Sequence, residues 1–136
     1  MTSRPPHTIS VRVYYEDTDL AGVVYYANYL RFYERGRSEA LRDLGIDQVA
    51  MKAAGLVFVV RSFALDYLVP ARFDDLLEIR TGIGALRGAS LEMTQEVLRD
   101  GETLNRATAR IACMTVEGRP ARLPADLRAA LAPERG

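Results

Sequence analysis

The chain has 136 residues and a formal net charge of zero, from 18 Lys and Arg against 18 Asp and Glu. This balance argues against partners chosen by bulk electrostatics, such as duplex nucleic acid or an anionic membrane. With 49% apolar and 26% charged residues the composition is that of an ordinary globular protein, while one cysteine, Cys113, and one histidine, His7, exclude a disulfide framework or a Cys/His zinc site within one chain.

The first third of the chain changes its pattern twice. Residues 8–15 alternate apolar and polar side chains with β-branched and aromatic members, which predicts a half-buried strand. Residues 16–22, EDTDLAG, break the alternation with three carboxylates and a glycine, a composition typical of a turn. From Tyr26 onward the apolar residues recur at helical spacing, and Gly45 supplies a stop.

The predicted helix has one apolar face. It combines Tyr26, Tyr29, Tyr33, Gly36, Ala40 and Leu44, flanked by Leu30, Phe32 and Leu41. Gly36 carries no side chain on this face, although an interior glycine costs a helix about 1 kcal/mol relative to alanine. We therefore expect a sheet to pack closely against it.

The rest of the chain predicts strands, after a short helical or irregular piece at 47–54. The strands are expected over 56–69, 76–86, 91–98 and 103–116, with a hairpin connection at 87–89, a tight turn at Asp100-Gly101 and a short helix at 124–131. An antiparallel sheet of about five strands wrapped around the long helix would bury both apolar faces, giving an α+β fold. Exposed sheet edges then favour the pairing of two chains edge to edge.

No linker or repeat divides the sequence. We expect one domain over residues 1–136, with a leader (1–8) and a tail (118–136) at its periphery. No run of about 18 apolar residues predicts a transmembrane segment, and no signal peptide is recognised, so we expect a cytoplasmic protein.

Two interpretations of Asp19 follow from its place before the helix. The local one is a turn or N-cap carboxylate stabilised by the helix dipole. The functional one uses the unpaired N–H groups of a helix start to hold a developing oxyanion, while the carboxylate attacks the carbonyl or activates water. A magnesium site with Glu16 and Asp17 is not expected, because a hard ion needs more ligands than one turn supplies.

Residues 11–45 combine the pattern D-x-D-x-x-G-x-V-x-x-x-x-Y with a following F-Y-E-R. Together with segments at 58–61, 67–75 and 87–90, this pattern resembles the hotdog-fold acyl-CoA thioesterases of the 4-hydroxybenzoyl-CoA thioesterase type. The likeness is greatest to the YbgC-like branch associated with the Tol-Pal system. It covers roughly residues 10–120 and implies a hotdog fold.

The resemblance implies hydrolysis of an acyl-CoA thioester to a carboxylic acid and CoA, with no cofactor and no metal ion. It implies a catalytic carboxylate at Asp19, acting as nucleophile or general base, and an oxyanion-binding backbone N–H near Tyr26. Close YbgC-like relatives usually carry histidine at the position of Tyr26. The alternatives are hydrolysis of acyl-carrier-protein thioesters and a non-catalytic acyl-binding or scaffold protein of the same fold.

The expected substrate-binding residues lie in three parts of the chain: Gly22 and Val23, Val60 and Arg61, and Arg87, Gly88 and Ser90. Arg87 is either a phosphate ligand or a solvated hairpin arginine. Arg61, inside an apolar strand, is expected to pair with Asp66 or a helix carboxylate. The expected partners are acyl-CoA, a second chain in a homodimer or homotetramer and, for the alternative activity, an acyl carrier protein, without nucleic acid.

Overall fold

The computed structural model describes residues 5–132. The strands are β1 His7–Arg12, β2 Leu56–Tyr67, β3 Leu76–Leu86, β4 Ser90–Arg99 and β5 Glu102–Thr115; the helices are α1 Tyr29–Asp43, α2 Gln48–Ala53 and α3 Ala125–Leu131. Two 3₁₀ turns, Tyr15–Asp17 and Tyr26–Asn28, lie between β1 and α1. None of the helices in this part of the chain has the length and hydropathy needed to span a bilayer.

The five strands form one antiparallel sheet in the order β1-β3-β4-β5-β2, with β1 and β2 at its edges. This confirms the predicted number and direction of the strands. The turn between β4 and β5 holds Asp100 at φ 51° and Gly101 at φ 81°, the left-handed pair that a tight hairpin requires. The register between β2 and β5 shifts between Val60 and Ser62, so Arg61 lies at a β-bulge on the free edge.

The sheet covers one face of α1. The buried residues of α1 are Tyr29, Phe32, Tyr33, Gly36, Ala40 and Leu41. A Cβ on Gly36 would lie 2.9 Å from both Ile79 Cγ2 and Thr81 Oγ1, which confirms the predicted close approach. The prediction was wrong for Tyr26 and Leu30, which are 63% and 46% exposed. Tyr26 leaves the apolar face because the α-helix begins only at Tyr29.

A buried amide ties α1 to the sheet. Gln95 is 2% exposed, and its Nε2 donates to the Tyr33 carbonyl at 3.0 Å and to Thr81 Oγ1 at 2.8 Å. Its Oε1 accepts from Arg37 Nη1 at 3.0 Å. Because these groups are satisfied by one another, a polar side chain can stay in the interface between α1 and the sheet.

Both ends of the chain differ from the expected periphery. His7 begins β1 and pairs with Thr81, where the sequence predicted a leader; residues 1–4 lie outside the described part. In the expected tail, Leu123 and Leu131 are 5% and 1% exposed. The tail therefore contributes to the core up to Leu131. Cys113 is buried and packs as a small apolar residue, as predicted.

Candidate active site

Asp19 lies at the tip of a small hairpin that runs into the start of α1. At its base the Tyr25 N–H donates to the Asp17 carbonyl at 2.9 Å, and at its tip the Asp19 N–H donates to the Val23 carbonyl at 3.0 Å. Gly22, at φ 77°, closes the turn and donates its N–H to the Asp19 carbonyl at 3.0 Å. Residues 17–25 are called the acidic hairpin below.

The loop before β3 fixes the acidic hairpin on the sheet. The Val24 N–H donates to the Ala71 carbonyl at 2.8 Å, and the Phe73 N–H donates to the Gly22 carbonyl at 3.2 Å. The loop is in turn closed by Asp75, whose Oδ2 accepts from Arg99 Nη1 at 2.8 Å. A ladder of backbone hydrogen bonds thus holds the hairpin in place.

The two aspartates of the hairpin have different surroundings. Asp17 is 9% exposed; its Oδ2 accepts from the Tyr14 N–H at 2.8 Å and its Oδ1 from Asn28 Nδ2 at 2.9 Å. Asp19 is exposed, and within residues 5–132 its side chain accepts one hydrogen bond, to Oδ1 from the Ala21 N–H at 2.9 Å. Asp17 therefore joins the hairpin to the helix start, whereas the carboxylate of Asp19 is accessible to a ligand.

Backbone donors lie at the helix start that follows. The N–H groups of Tyr26 and Ala27 open the 3₁₀ turn and have no hydrogen-bond acceptor within residues 5–132. The Tyr26 carbonyl accepts from the Tyr67 hydroxyl at 2.8 Å. Burial, with a smaller effect of Tyr26, raises the pKa of Tyr67, so its hydroxyl remains a proton donor at neutral pH.

Exposed apolar side chains border this region. They are Leu20 and Tyr25 of the acidic hairpin, Tyr26 at the helix start, Tyr67 at the end of β2 and Phe73 in the loop before β3. Exposed apolar residues grouped in this way are typical of a surface that binds a ligand or another chain. The structure thus brings four predicted site residues, Asp19, Gly22, Val23 and Tyr26, to the same region.

Val60 and Arg61 lie further along β2. Val60 lines a groove of about 240 Å³ between α1 and β2, whose walls include Leu41 and Phe58. Arg61 is exposed and forms no ion pair with any residue of the described chain, so its expected pairing with Asp66 or a helix carboxylate was wrong. The bulge takes Arg61 out of register with β5 and leaves it at the open edge of the sheet.

Arg87, Gly88 and Ser90 lie at the opposite end of the sheet from Asp19. β3 starts at Leu76, next to the loop that holds the acidic hairpin, and reaches the β3–β4 hairpin after its 11 residues. At about 3.4 Å per residue, the two ends of this strand are roughly 34 Å apart. The predicted substrate-binding residues therefore do not form one site within one chain.

Comparison with known proteins adds the family. Residues 13–131 match the thioesterase-like superfamily. The chain belongs to this superfamily. It is 46% identical to the acyl-CoA thioester hydrolase YbgC of Escherichia coli O6:H1 over 119 residues, which are 86% of this chain and 89% of the relative. It is 43% identical to the acyl-CoA thioesterase YbgC of Haemophilus influenzae over 122 residues, 88% and 90% of the two chains.

Solved structures of superfamily members share the fold. A probable thioesterase from Bartonella henselae is 45% identical, with a TM-score of 0.80 over 89% of this chain and all of that one. A mutant 4-hydroxybenzoyl-CoA thioesterase in complex with 4-hydroxybenzoyl-CoA is 24% identical, with a TM-score of 0.88 over 95% of this chain and all of that one. These likenesses, and the sheet around α1, confirm the predicted hotdog fold and family.

Several residues that build this site are not predictable from local sequence patterns. Asn28, which holds Asp17, carries a weak signal, because asparagine is common near helix starts. Tyr67, whose hydroxyl binds the Tyr26 carbonyl, lies 41 residues away and carries no local signal. Asp75 and Arg99 likewise meet only because β3 and β4 are neighbours.

Proposed function

We propose that this protein hydrolyses acyl-CoA thioesters to a carboxylic acid and CoA. The observation that carries the proposal is the accessible Asp19 carboxylate on a hairpin that leads directly into the N–H groups of Tyr26 and Ala27, which have no acceptor among residues 5–132. The curated YbgC relatives at 43–46% identity, named acyl-CoA thioester hydrolases or thioesterases, support the same activity. The proposal also includes a cytoplasmic location and a role beside the Tol-Pal system, the latter because residues 11–45 resemble the YbgC-like branch.

Two routes use the same groups. In the first, an Asp19 oxygen attacks the thioester carbonyl and the carbon–sulfur bond breaks, giving CoA thiolate and a mixed anhydride that water then hydrolyses. In the second, Asp19 takes a proton from the water that attacks the carbonyl, and the carbon–sulfur bond then breaks to release the carboxylic acid and the CoA thiolate. In both, negative charge develops on the carbonyl oxygen, and in this proposal the N–H groups of Tyr26 and Ala27 donate hydrogen bonds that stabilise it.

The proposed site is completed by a second copy of the chain. β2 is an open edge that runs from Leu56, near the β3–β4 hairpin, to Tyr67, which contacts Tyr26. Antiparallel pairing of two β2 edges would bring the Tyr67 end of one chain next to the Leu56 end of its partner. A CoA molecule bound at Asp19 of one chain would then reach the β3–β4 hairpin of the other. Val59 and Val60 are 41% and 46% exposed in the single chain. Because an open strand edge with exposed apolar side chains tends to pair, this exposure supports an edge that a second chain covers.

The first experiment tests hydrolysis. The purified protein is incubated with short-chain, medium-chain and aromatic acyl-CoA, and released thiol is followed with a chromogenic reagent. Asp19→Asn is expected to lower kcat by about 10²- to 10⁴-fold. Asp43→Asn, the same charge change at an exposed position of α1, serves as the control and should leave kcat unchanged. Full activity of Asp19→Asn would remove this residue from its role. A wild-type protein inactive on the whole panel would favour a non-catalytic acyl-binding protein.

The second experiment tests the shared site with hybrid dimers of Asp19→Asn and Arg87→Ala chains. Loss of one charged phosphate contact leaves about a tenth of kcat/KM. If each site combines Asp19 of one chain with Arg87 of the other, every hybrid dimer has one intact site. A random mixture of the two variants then shows about a quarter of the wild-type kcat/KM. If each site lies within one chain, the mixture retains only about a twentieth. The lower value would exclude the two-chain site.

A further inference from the structure

Tyr67 joins the end of β2 to the helix start. Its hydroxyl donates to the Tyr26 carbonyl at 2.8 Å. Its backbone is fixed by the sheet, where it pairs with Asn105 of β5. The next N–H along the chain, that of Leu68, donates to the Leu104 carbonyl at 2.9 Å. The hydroxyl therefore reaches the helix start from a strand that is itself held in place.

Aromatic contacts hold the ring of Tyr67. Its centroid lies 5.7 Å from that of Tyr29 and 6.5 Å from that of Tyr26, the latter in an edge-to-face arrangement. Tyr29 is only 2% exposed, and its own hydroxyl accepts from the Ala71 N–H at 3.1 Å. Because Tyr29 is fixed in the core, it supports the Tyr67 ring and restricts the direction in which the Tyr67 hydroxyl points.

The Tyr26 carbonyl and the Ala27 N–H belong to one peptide group. The peptide bonds of residues 5–132 are all trans. A trans peptide is planar, so its C=O and N–H bonds point in opposite directions within one plane. A hydrogen bond that fixes the Tyr26 carbonyl on one side therefore fixes the direction of the Ala27 N–H on the other. The same bond polarises the peptide and makes its N–H a stronger donor.

The Ala27 N–H is one of the two donors that stabilise the carbonyl oxygen in the proposed reaction, and it has no acceptor within residues 5–132. Such a donor contributes most when it already points to the oxyanion, because no reorganisation is then needed as charge develops. Ala27 lies in the 3₁₀ turn ahead of α1, where hydrogen-bond geometry is poorer than in an α-helix. A contact from outside the turn is therefore important for its orientation.

We infer that Tyr67 is a positioning residue of the proposed active site: its hydroxyl holds the Tyr26–Ala27 peptide so that the Ala27 N–H points to the thioester carbonyl oxygen. The inference rests on the proposed function, because it takes this N–H to be an oxyanion donor. Tyr67 acts through the peptide and does not touch the reacting atoms. Removing an oxyanion donor outright costs about 10²- to 10³-fold in kcat. Tyr67→Phe keeps the donor and loses only its orientation and polarisation, so we expect a fall in kcat of about tenfold.

Kinetics distinguish positioning from substrate binding. Tyr67→Phe keeps the ring against Tyr26 and Tyr29 and removes the hydroxyl alone. The expected result is a fall of about tenfold in both kcat and kcat/KM for acyl-CoA with KM unchanged, the pattern of an interaction made only in the transition state. The affinity for an S-alkyl-CoA thioether, which has no carbonyl at the reacting position, should be unchanged as well. A higher KM with an unchanged kcat would mean that the hydroxyl binds the substrate, and would overturn the inference.

Thr81→Val is the control for a merely structural effect. The Thr81 hydroxyl is 2% exposed and accepts from Gln95 Nε2 at 2.8 Å, opposite Gly36. Gly36 lies nine residues beyond Ala27, roughly 14 Å along the helix. Thr81→Val should lower the melting temperature at least as much as Tyr67→Phe, because it leaves a buried donor unsatisfied, and should leave kcat unchanged. Gel filtration verifies that both variants keep the wild-type oligomeric state. An equal fall of kcat in both variants would assign the effect to the stability of the fold and overturn the inference.

The Ala27 N–H is also observed without turnover, by ¹⁵N relaxation. An order parameter of about 0.85 marks rigid backbone and one below about 0.6 marks flexible backbone. The Ala27 order parameter is expected at about 0.85 in the wild-type protein, and it should fall towards about 0.6 in Tyr67→Phe. It should keep the wild-type value in Thr81→Val, which does not contact the Tyr26–Ala27 peptide.

The outcomes separate the inference from the proposed function. Normal hydrolysis by the wild-type protein with an unchanged kcat in Tyr67→Phe overturns the inference and leaves the proposed function intact. An Ala27 order parameter that does not change in Tyr67→Phe overturns the inference whatever the kinetics. A wild-type protein that hydrolyses none of the acyl-CoA panel rejects the proposed function. The positioning of the Ala27 N–H by Tyr67 is then supported if the order parameter falls in Tyr67→Phe, and overturned if it does not.

Discussion

Replacing Asp17 with asparagine removes one of the two hydrogen-bond acceptors that join the acidic hairpin to the helix start. The carboxylate accepts from the Tyr14 N–H and from Asn28 Nδ2, and the residue is only 9% exposed. An asparagine keeps one oxygen for one donor, but its NH₂ group then faces the other donor. Losing a buried hydrogen bond to a charged acceptor costs about 1.5–3 kcal/mol, so we expect a loss near 2–3 kcal/mol.

Asp19→Asn is the matched comparison, with the same charge change two residues away. Among the residues that the structure describes, the exposed Asp19 side chain accepts from the Ala21 N–H alone, and an asparagine oxygen can keep that bond. The free energy of unfolding of Asp19→Asn should therefore differ from that of the wild type by less than about 0.5 kcal/mol. For a chain of 136 residues, 1 kcal/mol shifts the melting temperature by about 3–4 °C. Calorimetry should therefore show a fall of roughly 6–12 °C for Asp17→Asn and almost none for Asp19→Asn. Equal melting temperatures for Asp17→Asn and the wild type would refute the structural role of Asp17.

Two further predictions concern the packing of α1 and the loop that holds the acidic hairpin. Gly36→Ala gains about 1 kcal/mol of helix propensity, but its methyl group would sit 2.9 Å from Ile79 and Thr81, an overpacking that costs about 2–3 kcal/mol. Urea denaturation should show a net loss of about 1–2 kcal/mol, and a gain would contradict the close approach. Burial acts to raise the pKa of Asp75, but hydrogen bonds from a backbone N–H and Arg99 lower it below the ordinary value of 3.8. The ionised Asp75 carboxylate therefore stabilises the folded state above pH 3.8, and this contribution is lost as the pH falls through the lowered pKa. The melting temperature of the wild type should exceed that of Arg99→Gln at pH 6, and the difference should disappear near pH 2. A difference that persists at pH 2 would show that it does not come from the Asp75–Arg99 pair.

Much of the fold was predictable because each long element carries a period in the sequence. Alternation gave the bounds of β3 at 76–86, and helical spacing gave α1 apart from its first residues. The errors occur where a hydrogen bond to a residue outside the periodic segment decides the local structure. β1 ends at Arg12 rather than at residue 15, because the chain then turns so that the Tyr14 N–H can bind Asp17. No pattern within residues 8–15 contains that information.

The candidate site shows the same limit. Asp19, Gly22 and Tyr26 lie in one continuous segment, so the sequence was sufficient to place them together. The different surroundings of Asp17 and Asp19 were not predictable, because they depend on the partner Asn28, 11 residues beyond Asp17. The bulge that leaves Arg61 unpaired was also missed, since it is a mismatch between two strands and not a property of either one.

The length of the sheet makes the strongest case for a site built from two chains. A single chain places its accessible carboxylate near one end of β3 and Arg87 just beyond the other end, and a strand of 11 residues spans at most about 34 Å. One small substrate cannot contact both ends along that strand. A two-fold axis that pairs the β2 strands of two chains would bring the Asp19 end of one sheet next to the β3–β4 hairpin end of the other, because paired antiparallel strands run in opposite directions. Under that symmetry the exposed tyrosines near Asp19 and the valines of β2 would become the interface, and each dimer would hold two equivalent sites.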